Sequence, residues 1–137
     1  MTRIALVTGG MGGLGEAVCM KLAALGYQVV TTHSPGNTKV TAWLAEMEEQ
    51  GYKFQAFPCD VADYDSAAEC VARITAELGP IDVLVNNAGI TRDMTFKKMD
   101  KTNWDAVIRT NLDSVFNMTK PVCDGMTERG WGRSINI

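Results

Sequence analysis

The sequence predicts an α/β fold, a doubly wound parallel sheet with helices on both faces, stacked as three α/β/α layers. Three observations carry that expectation. Apolar runs of strand length alternate with amphipathic stretches of helix length along the 137 residues. The strand runs are rich in β-branched residues. Glycine stands where several of the helices should end. Strands that alternate with helices pair in parallel through right-handed crossovers, which place helices on both faces of the sheet.

The elements follow in order. Ile4–Thr8 is a short apolar run that ends in a glycine cluster. Residues 14–25 place Val18, Leu22 and Leu25 at helical spacing, and Gly26 stops them. Residues 27–32 form a second β-branched run. Residues 40–50 put Val40, Trp43, Leu44 and Met47 on one face, closed by Gly51. Residues 53–58 are the third strand candidate. Residues 66–78 carry Ala67, Cys70, Val71, Ile74 and Leu78 on one stripe before Gly79-Pro80. Ile81–Asn86 is a strong strand, followed by a polar loop and helical sequence from about 101 to 128. Residues 133–137 start a fifth strand. A parallel strand there would need a covering helix, so the chain is expected to be the N-terminal part of a longer single-domain protein.

Composition narrows the function classes. Apolar residues are 46% and charged residues 21% of the chain, with a net charge of −3. No basic patch points to nucleic acid. No apolar run reaches 18 residues, so no membrane span is expected, and no signal peptide is recognisable at the N-terminus. A cytoplasmic location follows as the expectation. The four cysteines, Cys19, Cys59, Cys70 and Cys123, form no close pair, and His33 is the single histidine. No metal site is expected, and the thiols read as small apolar residues.

The strongest motif is Thr8-Gly9-Gly10-Met11-Gly12-Gly13-Leu14-Gly15. It follows a strand and opens a helix, which is the context that makes a glycine-rich loop credible as a dinucleotide-binding, Rossmann-type fingerprint. Backbone without Cβ atoms lets a pyrophosphate approach, and the helix N-terminus offers it free N–H groups and partial positive charge. Gly9, Gly12, Gly13, Leu14 and Gly15 are therefore candidate cofactor residues.

In such folds an acid about 20 residues past the glycines holds the adenosine ribose. Here the second strand leads into His33-Ser34-Pro35-Gly36-Asn37-Thr38-Lys39, and no acid appears before Glu46. A carboxylate would repel a 2′-phosphate. Its absence, with donors at Ser34, Asn37, Thr38 and Lys39, favours NADP(H) over NAD(H), with Lys39 the best single candidate for charge pairing.

Three further segments make the chain resemble the short-chain dehydrogenase/reductase family. They are Cys59-Asp60-Val61 after the third strand, Asn86-Asn87-Ala88-Gly89 after the fourth, and Asn111 within Thr110-Asn111-Leu112. The loop Gly89-Ile90-Thr91-Arg92-Asp93, the stretch Trp104-Asp105-Ala106-Val107-Ile108 and the run from Gly125-Met126 to Arg133 are similar to the acetoacetyl-CoA reductases of polyhydroxyalkanoate synthesis. This resemblance covers essentially the whole chain. It implies that Gly12, Gly13, Leu14, Lys39, Cys59, Asp60, Val61, Asn87, Ala88, Gly89, Ile90 and Thr91 line the cofactor, that Asp93 lies beside an acyl-CoA substrate, and that Asn111 belongs to the catalytic set.

The resemblance also implies a serine, a tyrosine and a lysine beyond Ile137 that protonate and orient the ketone while hydride arrives. Tyr27, Tyr52 and Tyr64 do not substitute, because none has a lysine four residues later. Ser134 reads as a strand residue, and a buried hydroxyl there would need a partner. The expected activity of the parent is NADPH-dependent reduction of acetoacetyl-CoA to (R)-3-hydroxybutyryl-CoA by a homotetramer. Alternatives are a 3-oxoacyl-carrier-protein reductase and, for this chain alone, a non-catalytic nucleotide-binding fragment.

Overall fold

A computed structural model describes residues 2–137. Five parallel strands form one sheet in the order β3-β2-β1-β4-β5. β1 (Ile4–Thr8) is buried along its whole length. It pairs with β2 (Gln28–His33) on one side and β4 (Ile81–Asn86) on the other. β3 (Gln55–Pro58) extends the sheet beyond β2, and β5 (Arg133–Asn136) extends it beyond β4. The strand order therefore reverses between β1 and β4. Ligands of doubly wound sheets bind at such a switch, at the carboxyl ends of the strands.

Side-chain alternation along β1 divides the core into two. Ile4 and Leu6 face one apolar cluster, with Ile74 of α3 (Tyr64–Glu77) and Met118 of α5 (Ser114–Arg129). Ala5 and Val7 face the other, with Cys19 of α1 (Gly13–Ala24) and Trp43 and Met47 of α2 (Val40–Glu49). The sheet is thus covered on both faces by helices, as the expected three-layer Rossmann-type arrangement requires. Gly26 and Gly51, the expected helix terminators, sit at φ +94 and +92, the left-handed region that a Cβ disfavours.

Beyond shifts of one or two residues at the ends of α1, β2 and β3, three features differ from the sequence expectation. α3 starts two residues early, because the Asp63 carboxylate accepts a hydrogen bond from the Ser66 N–H at 3.1 Å and caps the helix there. The stretch expected as helix from 101 to 128 is interrupted. α4 (Lys101–Ile108) passes through a π-helical turn at Arg109–Asp113 before α5 begins. Ser134 is exposed in these 137 residues, as is all of β5.

Candidate functional site

The glycine loop is held from below by hydroxyls of β2. The Thr31 Oγ1 accepts from the Gly10 N–H at 2.8 Å and donates to the Val7 carbonyl at 2.8 Å. The Gly9 N–H donates to Thr32 Oγ1 at 3.3 Å. Gly9 takes φ +64 and accepts from the Gly12 N–H at 3.3 Å, which turns the chain sharply into α1. Glu16 carries the first N–H to find a helical acceptor, Gly12 O at 2.7 Å, and Gly12 provides no side-chain cap. The N–H groups of Gly13, Leu14 and Gly15 are thus the free donors of the helix N-terminus. Addition of a Cβ at Gly12 or Gly13 would meet no atom closer than 3.7 Å, so this stretch of backbone lies bare.

The loop after β4 is tied to the end of β1. The N–H groups of Asn87 and Ala88 both donate to Thr8 Oγ1 at 3.0 Å. The Asn87 side-chain amide donates to the carbonyls of Thr8 and Gly9, at 3.2 Å each. After β3, the Asp60 carboxylate accepts from the Ala62 N–H at 3.1 Å, and the Val61 carbonyl accepts from Asn117 Nδ2 at 3.0 Å. Asp60 therefore shapes its own loop.

Between these loops and the segment after β2 lies a cavity of about 540 Å³. Its wall brings together Gly9, Gly12, Gly13, Leu14 and Gly15 from the first loop and Ser34 from the second. Cys59, Asp60 and Val61 come from the third, and Asn87, Ala88, Gly89 and Ile90 from the fourth. Asn37, one of the candidate donors, lines it too. Thr91 and Asn111 line a neighbouring recess that shares Gly89 and Ile90 with the cavity. Three expected residues, Thr38, Lys39 and Asp93, stand apart. Lys39 is exposed at the N-cap of α2, its N–H bonded to Asn37 Oδ1 at 2.8 Å, and it does not line the cavity. Asp93 is exposed and lines neither space.

Sequence reasoning missed Met11, Thr32, His33 and Thr110 as wall residues. For His33 the available signal was its place at the end of the second strand, one residue past the expected boundary. Thr110 had a signal only through its neighbour Asn111.

Asn111 sits inside the π-helical turn and spends both side-chain groups on one residue. Its Oδ1 accepts from the Ile90 N–H at 2.8 Å and its Nδ2 donates to the Ile90 carbonyl at 2.9 Å. This pairing imitates a strand bond and clamps the 87–91 loop to the helix. π-turns gather at functional sites because one extra residue re-aims a side chain without breaking the helix. Asn111 thus acts on the cavity by positioning its wall.

Two thiol environments differ. Burial, with the nearby Glu16 carboxylate adding to it, pushes the Cys19 thiol from its ordinary 9.0 up to about 12. The folded form resists ionisation across that window, so Cys19 opposes folding as pH rises through it. At about pH 8, where thiolate is the reactive species, iodoacetamide should label exposed Cys123 and spare Cys19, as read by peptide mass mapping. Equal labelling of both thiols in the folded protein would contradict this. Cys59, in the cavity wall, is shifted the other way because the Cys70 thiol donates a hydrogen bond to it, and Cys70 is raised in consequence.

The donor set fits a dinucleotide: a bare helix N-terminus for a pyrophosphate, two polar loop segments beside it, and a cavity reaching the end of β2. No group of three or more His, Cys, Asp or Glu side chains among the described residues could hold a metal ion. No helix among them is long and apolar enough to cross a membrane.

The short chain dehydrogenase family model matches residues 3–137. Nodulation protein G of Azospirillum brasilense is 56% identical over 135 residues, which are 98% of this chain and 55% of that protein. Acetoacetyl-CoA reductase of Cupriavidus necator is 51% identical over 135 residues, again 98% of this chain and 55% of that protein. A crystal structure of a gluconate 5-dehydrogenase from Burkholderia cenocepacia in complex with NADP and tartrate superposes with a TM-score of 0.87 at 33% identity. It covers 98% of this chain and 52% of that one. The chain spans about half the length of the curated relatives it matches.

Proposed function

Because the chain belongs to the short chain dehydrogenase family, we propose that it is the cofactor-binding part of an NADPH-dependent reductase that converts acetoacetyl-CoA to (R)-3-hydroxybutyryl-CoA. The observation that carries the substrate is the 51% identity to an acetoacetyl-CoA reductase across nearly the whole chain. NADPH supplies the hydride when bound.

The residues of this chain bind and position. The free N–H groups of Gly13, Leu14 and Gly15 receive the pyrophosphate. Asp60 and Val61 sit beside the adenine, and Asn87 to Thr91 carry the wall along which the nicotinamide half lies. Asn111 holds that wall through Ile90. Asp93, on the exposed loop beyond Thr91, is the contact to the acyl-CoA. Proton delivery to the ketone falls to a serine, a tyrosine and a lysine elsewhere in the full-length protein. These 137 residues alone would bind nucleotide without turnover. The reading includes a cytoplasmic homotetramer in polyhydroxybutyrate synthesis.

The test uses the full-length protein. Consumption of NADPH, followed by nicotinamide absorbance, should be faster with acetoacetyl-CoA than with acetoacetyl carrier protein, compared as kcat/KM. A reversed ratio would assign it to carrier-protein thioesters instead. Equal dissociation constants for NADPH and NADH would remove the cofactor assignment.

A further inference from the structure

Three sulfur atoms meet behind the cavity wall. Cys59 follows β3, and its Sγ lies 3.8 Å from Met118 Sδ on α5 and 4.0 Å from the Ser66 carbonyl in the first turn of α3. Cys70 stands one turn further along α3, in the same apolar cluster, and its thiol donates a hydrogen bond to the Cys59 sulfur. Cys59 also lines the cavity, and Cys70 does not. We infer that Cys59 and Cys70 form a reversible disulfide that weakens dinucleotide binding, so that peroxide switches the reductase off. This rests on the dinucleotide reading above and adds a regulation to it.

The placement suits the step. Redox-sensing pairs combine a thiol that ionises readily, a path for the oxidant and a second thiol beside the first. The bond from Cys70 holds the Cys59 thiol below its ordinary 9.0, against burial and the Asp60 and Asp63 carboxylates. The path is the cavity, wide enough for hydrogen peroxide to reach Cys59 before a nucleotide occupies it. Cys70 is buried outside the wall, so peroxide meets Cys59 first. Met118 is a thioether and takes no part in the bond; it packs against the pair.

The chemistry balances. The Cys59 thiolate attacks one peroxide oxygen: an S–O bond forms, the O–O bond breaks, and the departing hydroxide takes up the proton that Cys59 released. A sulfenic acid and a water result. The Cys70 sulfur then attacks the Cys59 sulfur: an S–S bond forms, the S–O bond breaks, and hydroxide leaves as water with the Cys70 proton. The thiol pair loses two electrons, and one peroxide is reduced to two waters. Exchange with a dithiol reverses the bond. Bond formation draws the two sulfurs closer than hydrogen-bond contact. α3 is fixed in the core by Ala67, Val71 and Ile74, so the 59–61 loop is the part that moves. Its ties, from the Asp60 N–H to Ser66 Oγ at 2.9 Å and from Asn117 Nδ2 to the Val61 carbonyl at 3.0 Å, shift with it. Asp60 and Val61 then leave their places in the wall. Bound nucleotide opposes the same movement, so binding and oxidation exclude each other.

The test uses the full-length protein with Cys123→Ser, which removes an exposed thiol from the readout. After hydrogen peroxide, peptide mass mapping should find the peptides carrying Cys59 and Cys70 joined, lighter by two hydrogens. Fluorescence titration should show the joined protein binding NADPH and NADH about tenfold more weakly, and dithiothreitol should restore both. Prior saturation with NADPH should slow the joining about tenfold. Cys70→Ala leaves the wall intact and should bind as the reduced protein does, before and after peroxide. Joining is read on the native pair, so it stands whatever the stability of that variant. Absence of the joined peptides at a peroxide dose that oxidises Cys123 in the unmodified protein overturns the switch and leaves the dinucleotide reading standing. So does a joined protein that binds NADPH as tightly as the reduced one. A reduced protein that binds neither nucleotide overturns the dinucleotide reading and the switch with it.

Discussion

Gly15→Ala should destabilise the protein by about 2–3 kcal/mol and weaken dinucleotide binding by about 100-fold. A Cβ at this position would sit 2.5 Å from the Gly9 carbonyl oxygen, 2.7 Å from Asn87 Nδ2 and 2.8 Å from Gly10 Cα. Two of these three are backbone atoms of a loop fixed by Thr31 and Thr32, so they have little freedom to retreat. Relief requires α1 to move outward, away from the β4 loop. That movement pulls the free N–H groups of Gly13, Leu14 and Gly15 off the pyrophosphate position. Loss of two charge-assisted hydrogen bonds accounts for the binding effect. Gly13→Ala is the contrast, because a Cβ there meets nothing within 4 Å. It should retain stability and lose affinity, since the new methyl enters the cavity wall. Urea unfolding and NADPH titration on both variants check the pair. A Gly15→Ala protein as stable as the unmodified one would refute the packing account.

The glycine contacts explain why so much of this site was legible in sequence. Gly15 and Gly10 are glycines because a methyl at either position would overlap neighbouring atoms, so the residue type records the close approach directly. The same holds for Asn87, whose amide bridges two carbonyls that no other side chain of that length could reach with two donors. The layers were legible for a similar reason, since burial on both faces of β1 admits only apolar and small residues.

What escaped the sequence depends on long-range contacts. Thr31 and Thr32 look like ordinary β-branched strand residues. Their hydroxyls nevertheless hold Gly10 and Gly9, more than 20 residues away. The π-helical turn at Arg109–Asp113 leaves no mark on the amphipathic pattern, and the bond it carries, from Asn111 to Ile90, spans 21 residues. Lys39 stands exposed at the N-cap of α2, beside the cavity wall, while His33 is carried into the wall by one further residue of β2.

The largest effect not foreshadowed by residue type belongs to Thr8. Its side chain is 2% exposed, and its Oγ1 is the acceptor for two successive backbone N–H groups, Asn87 and Ala88, 79 and 80 residues away. Its own hydrogen is directed to the Val85 carbonyl at 3.4 Å. Thr8→Val keeps the volume and the β-branched shape, so packing and strand propensity change little. It removes the acceptor and leaves both N–H groups facing a methyl. A buried donor stripped of its partner costs about 1–3 kcal/mol, so the pair should lower stability by about 2–4 kcal/mol. The loop 87–91 would lose its anchor to β1 while keeping its clamp to Asn111, so cofactor affinity should fall as well. Thr8→Ser restores the oxygen without the methyl and should recover most of the lost stability. Chemical denaturation of the three proteins measures this directly. A Thr8→Val protein within about 0.5 kcal/mol of the unmodified one, the range of an ordinary surface change, would mean that the loop is held by Asn87 and Asn111 alone.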